Sequence, residues 1–108
     1  LESSTPKLEA VIGLVNNIRK AGVRIDGIGT QMHITVNTPN NGIRNSFQRL
    51  ASTGLLIHVS ELDIAVNPQN VTPLVMTQQL ENSQAAKYQS VASLYKTNIP
   101  ARLQYGIT

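Results

Sequence analysis

Val59-Ser60-Glu61-Leu62-Asp63-Ile64 closes an apolar run that begins at Leu55. Glu61 and Asp63 stand at i and i+2, which on an extended strand puts both carboxylates on one face. An ionised carboxylate at a buried strand is costly unless it is paired or put to chemical use. The whole chain has only six acidic side chains, so two of them at the end of one apolar run mark a candidate site for acid–base or nucleophilic chemistry.

A second stretch, Asp26-Gly27-Ile28-Gly29-Thr30-Gln31-Met32-His33-Ile34, has the same form. Read as one strand from Ile25 to Val36, it puts Gly27, Gly29, Gln31 and His33 on one face and Ile28, Met32 and Ile34 on the other. Glycines inside a strand point to close backbone approach or a crowded centre. In the second strand, Leu55 to Ile64, alternation groups Leu55, Ile57 and Val59 with Glu61 and Asp63, and sets Leu56, His58, Ser60, Leu62 and Ile64 opposite. In both strands the polar groups lie toward the C-terminal end, where open α/β sheets and (β/α)8 barrels hold their sites. If the strands are parallel neighbours, Gln31, His33, Glu61 and Asp63 converge.

Each of these residues also has a plainer reading. His33 alone reads more readily as a satisfied structural histidine than as a functional one; a carboxylate-bearing neighbour strand reverses that preference. A metal site made of His33, His58 and Glu61 fails on parity, because His58 falls on the other face from Glu61. Gly27-Ile28-Gly29 lacks the third glycine of a dinucleotide fingerprint, Met32 standing in its place. Asp26 caps or pairs at the strand's start, and Asn70-Val71-Thr72 is a chance-level glycosylation sequon.

The elements that must position these strands follow from periodicity. Thr5-Pro6 reads as an N-cap with proline at the first helical position, and Leu8, Val11, Ile12, Val15 and Ile18 recur at helical spacing before Gly22. Asn37 to Gly42 is rich in turn residues. A second helix carries Ile43, Phe47, Leu50 and Ala51 on one face and stops at Gly54. After a polar loop from Ala65 to Thr72, a third helix with Pro73 near its start carries Leu80, Ala85, Tyr88, Val91, Ala92 and Tyr95. Leu103 to Thr108 opens a last strand. Helix and strand alternating with short loops imply parallel strands joined by right-handed crossovers.

Composition narrows the function classes. One hundred and eight residues make one domain or part of one. No run of 18 apolar residues provides a membrane span, and no charged-then-apolar leader is visible at the start. The chain has no cysteine, hence no disulfide or thiolate zinc site. The net charge of +3 is scattered. Its one cluster, Arg19, Lys20 and Arg24, sits at a helix end and suits the dipole there better than a nucleic acid, since no aromatics interleave with it. The expected partners include neither nucleic acid nor membrane, and nothing calls for a cofactor or metal.

The ordered set Asp26-Gly27-Ile28-Gly29-Thr30-Gln31-Met32-His33, then Ser60-Glu61-Leu62-Asp63-Ile64, resembles the sixth and seventh strands of glycoside hydrolase family 10, the endo-1,4-β-xylanases built on a (β/α)8 barrel. Gln84-Ala85-Ala86 with Tyr88, then Tyr105-Gly106-Ile107-Thr108, are similar to the next helix and the start of the eighth strand. The resemblance implies an α/β fold, the C-terminal portion of the TIM barrel from about strand 6 to strand 8, with residues 1–108 a partial catalytic domain. Glu61 matches the nucleophile of this retaining family. His33 and Asp63 match the residues that orient that nucleophile and hold its ionisation state. Gln31 matches a residue near the acid/base and the sugar. Ser60 replaces the threonine usual before the nucleophile.

The retaining mechanism needs a second carboxyl group about 5–5.5 Å from the first. In the family it lies on the fourth strand in a Trp-x-x-x-Asn-Glu motif, and nothing in this chain resembles that motif. The chain stops at Thr108 where the family continues into Val-Trp-Gly, which accounts for the absence of tryptophan. The expectation is a xylanase fragment inactive by itself, with xylan or a related β-1,4-linked polysaccharide as the parent's substrate. Ile57 and Val59 would face a barrel interior that is no longer there, and open edges would drive homo-oligomerisation or association with the missing barrel half. The family implies a secreted or cell-envelope location. Two other classes compete: a non-catalytic carbohydrate-binding or interaction module derived from a degenerate barrel half, and an unrelated phosphate- or nucleotide-binding α/β domain, which would need a glycine-rich turn before a helix that Asn37 to Gly42 only faintly offers.

Overall fold

The structure, a computed structural model, describes residues 1–108. Helix α1 (Thr5–Lys20) leads to strands β1 (Gly27–Thr30) and β2 (His33–Thr35). Helix α2 (Asn40–Ala51) follows, then β3 (Leu56–Val59) and β4 (Asp63–Ala65). Helix α3 (Gln78–Asn98), a 3-10 turn at Ala101–Leu103 and β5 (Gln104–Ile107) complete the chain. All pairings are parallel: β1-β3-β5 form one sheet, and β2-β4 form a second, smaller one beyond their C-terminal ends.

The helices start and stop for local reasons. Ser4, not Thr5, caps α1, its hydroxyl accepting the Lys7 N–H at 3.4 Å. Thr5 is already helical because its successor Pro6 is tolerated in the first turn. Gly22 and Gly54 follow α1 and α2 with φ of +77° and +73°, a conformation that only glycine adopts cheaply. Thr77 caps α3 through the Leu80 N–H, which puts Pro73 in the preceding loop and not at the helix start.

One core forms between the helices and one face of the sheet. Leu8, Ile12 and Val15 of α1, Ile43, Phe47 and Leu50 of α2, and Val91 and Tyr95 of α3 enclose Ile28, Ile57 and Val59. The first half of α3 departs from the expected face. Ala85, Tyr88 and Ala92 are exposed, because Gln84 and Lys87 turn inward. Gln84 Nε2 donates to the Ile64 carbonyl at 2.7 Å, and Lys87 Nζ donates to the Thr38 carbonyl and Asn40 Oδ1 at 2.7 and 2.8 Å. The carbonyls of Ile64, in β4, and of Thr38, in the loop before α2, need donors once a helix covers them, and here they take precedence over apolar contact.

Both long strands of the sequence reading are broken, and the breaks differ. Between β1 and β2 the phase is kept: Ile28, Thr30, Met32 and Ile34 are all buried. Met32 spans that break with φ +59°, unusual for a residue with a side chain. Between β3 and β4 the phase is lost. Thr30 pairs with Val59 and His33 with Asp63, so two residues on the first path, Gln31 and Met32, face three on the second, Ser60, Glu61 and Leu62. That extra residue is a bulge. It overturns the grouping of Ile57 and Val59 with Glu61 and Asp63: Ile57 and Val59 are fully buried against the helices, while Glu61 and Asp63 are exposed. The open face of the sheet carries Gly27, Gly29, Leu56 and His58 instead.

Candidate active site

Glu61 sits at the crest of the bulge, and both of its neighbours are tied down. The Ser60 N–H donates to the Thr30 carbonyl at 2.9 Å, and the Leu62 N–H donates to the Thr108 carbonyl at 2.9 Å. Thr108 in turn donates its own N–H to the Val59 carbonyl at 2.8 Å. The residue between Ser60 and Leu62 is thus held from the strands on both sides. Without the extra residue, alternation would carry the Glu61 side chain onto the same buried face as Val59.

His33 opens β2 directly opposite Asp63, the first residue of β4. Its Nδ1 lies 2.6 Å from Asp63 Oδ2, and its Nε2 lies 3.3 Å from Glu61 Oε2. One imidazole therefore bridges two carboxylates, and as an imidazolium it donates to both. The Asp63 hydrogen bond raises the His33 pKa above the ordinary histidine value, with a smaller push from Glu61; partial desolvation opposes both. The side chains of His33, Glu61 and Asp63 are 50%, 54% and 64% exposed, so solvent screens the charges and the arrangement fixes geometry more than it stores energy.

Gln31 lies in the β1–β2 break, exposed, and joins His33 in a cleft of about 470 Å³ whose far side is Glu2, Ser4 and Lys7. The structure thus brings His33, Glu61 and Asp63 into direct contact, and leaves Gln31 beside His33 without a side-chain partner. Two residues support this end of the sheet in roles the sequence did not suggest. Glu2 is buried and accepts the Thr30 hydroxyl at 2.9 Å, one residue before Gln31. The His58 Nε2 lies 3.0 Å from Thr108 Oγ1, and its ring packs on Tyr105. Glu2 was detectable as one of six acids placed just before a helix cap; the His58–Thr108 pair, 50 residues apart, carried no local signal.

The parity argument against His58 joining a metal site does not survive the bulge. What sets His58 apart is its own pair of partners, and no three His, Cys, Asp or Glu residues cluster as metal ligands. The Asn37 to Gly42 turn leads into α2 from Pro39, which offers no side-chain cap, and it is not glycine-rich.

A polar constellation at the C-terminal ends of parallel strands is the position of a (β/α)8-barrel site, and the comparisons decide which barrel. The sequence model of Glycosyl hydrolase family 10 matches residues 1–105. The chain belongs to this family. It is 30% identical to endo-beta-1,4-xylanase Xyn10C of Cellvibrio japonicus over its full length, covering 19% of that protein. It is 34% identical to an endo-1,4-beta-xylanase of Geobacillus stearothermophilus, the match covering 83% of this chain and 28% of that one. The solved structure of xylanase 10C from Cellvibrio japonicus in complex with xylopentaose superposes on 98% of this chain with a TM-score of 0.87 at 29% identity. Only 22% of that structure is covered. The family 10 chain is therefore a partial α/β unit that matches part of a TIM barrel.

Proposed function

We propose that residues 1–108 are a portion of the catalytic domain of a retaining endo-1,4-β-xylanase, with Glu61 as its nucleophile. The observation that carries this reading is the His33 ring, held by Asp63 at 2.6 Å through Nδ1 and facing Glu61 Oε2 at 3.3 Å through Nε2. With Nδ1 engaged by Asp63, the other ring nitrogen is directed at one oxygen of Glu61, which leaves the second oxygen to attack a sugar's anomeric carbon. Gln31, next to His33 in the cleft, is placed to contact the sugar. A second carboxyl group about 5–5.5 Å away, acting first as acid and then as base, completes the retaining mechanism. Its source is the rest of the parent barrel. The relatives' activity and the xylopentaose held by one of them support xylan or a related β-1,4-linked polysaccharide as the parent's substrate.

The purified chain alone is then expected to hydrolyse xylan negligibly, since general acid assistance is worth on the order of 10²–10⁴ in rate. In the complete parent, a slow 2-fluoro-xyloside should label Glu61, read by mass spectrometry of peptides. Glu61→Gln should abolish the label. Labelling of any other carboxylate, or turnover that survives Glu61→Gln, would remove Glu61 from this role.

A further inference from the structure

Glu61 stands on a bulge, where the ladder is interrupted, so its placement depends on the bonds to either side. Those bonds come from two threonines. On the β1 side, the Thr30 carbonyl accepts the Ser60 N–H at 2.9 Å, and the Thr30 hydroxyl is itself tied to Glu2. On the β5 side, the Thr108 carbonyl accepts the Leu62 N–H at 2.9 Å, and the Thr108 N–H reaches back to the Val59 carbonyl at 2.8 Å. The Thr108 hydroxyl lies 3.0 Å from His58 Nε2. Each threonine that clamps the bulge is thus held in turn by a polar side chain, and on the β5 side that side chain is His58.

The surroundings of His58 leave its ring free for this contact. Its register partners are Gly29 on β1 and Gly106 on β5, so no cross-strand side chain competes for the space beside it. Tyr105, which has no register partner on β3, packs on the ring with centroids 4.9 Å apart. The path from His58 to Glu61 therefore runs through the neighbouring strand, from the imidazole to the Thr108 hydroxyl and from the Thr108 backbone to Leu62. Asp63 lies past the bulge and pairs with His33 directly. A slackened bulge thus leaves the His33–Asp63 contact in place and moves Glu61, whose contact with His33 is the longer one at 3.3 Å. We propose, on the reading of Glu61 as the nucleophile, that His58 is a positioning residue for it, acting through the Thr108 hydroxyl on the bulge.

The test is made in the complete parent enzyme with xylan as substrate. His58→Phe keeps an aromatic ring against Tyr105 and removes the hydrogen bond to Thr108. It should lower kcat about tenfold and leave KM nearly unchanged, since misplacing a reacting group by about 1 Å costs up to about 10²-fold in rate. His58→Gln carries an amide nitrogen the same number of bonds from Cα as Nε2 and should recover most of the loss. Thr108→Val removes the same hydrogen bond from the other side, so it serves if His58→Phe does not fold, and the double variant should lose no more than either single one. The His33 ring, followed by NMR, gives a readout that needs no turnover. Glu61 is one of the groups that raise the His33 pKa, so His58→Phe should lower that pKa toward its value in Glu61→Gln and no further. An unchanged kcat and His33 titration, equal losses in the Phe and Gln variants, or additive losses in the double variant would overturn the proposal. If the 2-fluoro-xyloside marks another carboxylate while the His33 titration still moves, the clamp on Glu61 stands and only the nucleophile reading falls.

Discussion

Replacing Tyr95 by phenylalanine removes a single oxygen from the centre of the fold, and the structure gives its cost. Tyr95 is 4% exposed on α3. Its hydroxyl donates to the Ile57 carbonyl at 2.7 Å and accepts the Gly106 N–H at 3.0 Å. Those two groups belong to β3 and β5 at a second irregularity: Ile57 pairs with Gln104 and His58 with Gly106, so Tyr105 has no partner. The hydroxyl stands in for the ladder bond that the extra residue interrupts. Phenylalanine keeps the edge-to-face contact with Phe47, at 5.6 Å and 86°, so packing is little changed. Two hydrogen bonds at about 1 kcal/mol each, plus part of the penalty for a Gly106 N–H left without an acceptor, put the loss at about 2–4 kcal/mol. Domains of this size typically have about 5–15 kcal/mol in all, so Tm should fall by roughly 10 °C or more. Urea unfolding followed by circular dichroism, with the slope checked for constancy, measures the loss. Amide exchange at Gly106 reports the site directly. A change under about 0.5 kcal/mol with Gly106 still protected would show that the hydroxyl does not bridge the two strands.

Two further expectations test the site end of the sheet. The His33 ring protons, followed by NMR, should titrate above the ordinary histidine value, and Asp63→Asn should lower that pKa more than Glu61→Gln, because the Asp63 contact is the shorter and dominant one. The sign for stability follows: a raised folded pKa means the His33 contribution is complete below the unfolded value of about 6.5 and fades as pH rises through the folded one; equal effects of the two substitutions would refute the ordering. Gly42→Ala should destabilise by about 1–3 kcal/mol, although alanine favours helices by about 1 kcal/mol. A Cβ there overlaps the Glu2 backbone carbonyl and must lift the segment that carries Glu2 off Thr30. Unchanged or higher stability in urea would mean that residues 1–4 do not pack on α2.

Local pattern alone determined much of this fold. The helical spacing of Leu8, Ile12 and Val15 and of Ile43, Phe47 and Leu50 depends only on 3.6 residues per turn, and those residues form the core. The glycines that end α1 and α2 are likewise local, because a positive φ excludes most side chains wherever it occurs. The motifs that resemble family 10 singled out His33, Glu61 and Asp63, which the structure brings into contact, and parallel strands followed from the alternation of elements. The phase change between β3 and β4 was half written in the sequence: Leu55, Ile57 and Val59 are apolar at odd positions, whereas Glu61 and Asp63 are not and the large apolar residues become Leu62 and Ile64.

Which of those sets faces the helices was a tertiary decision. Alternation fixes that neighbours point apart, but only packing chooses the side, and the extra residue among Ser60, Glu61 and Leu62 is visible only when His33 and Asp63 are seen paired. The inward turn of Gln84 and Lys87 belongs to the same class, since the carbonyls that attract them, Ile64 and Thr38, are 20 and 49 residues away. So does the Tyr95 hydroxyl, 38 residues from Ile57. A sequence window records which groups a segment can satisfy for itself. The polar atoms it leaves over are satisfied across the fold, and there they set where α3 lies and hold the bulge that lifts Glu61 out of the core to meet His33.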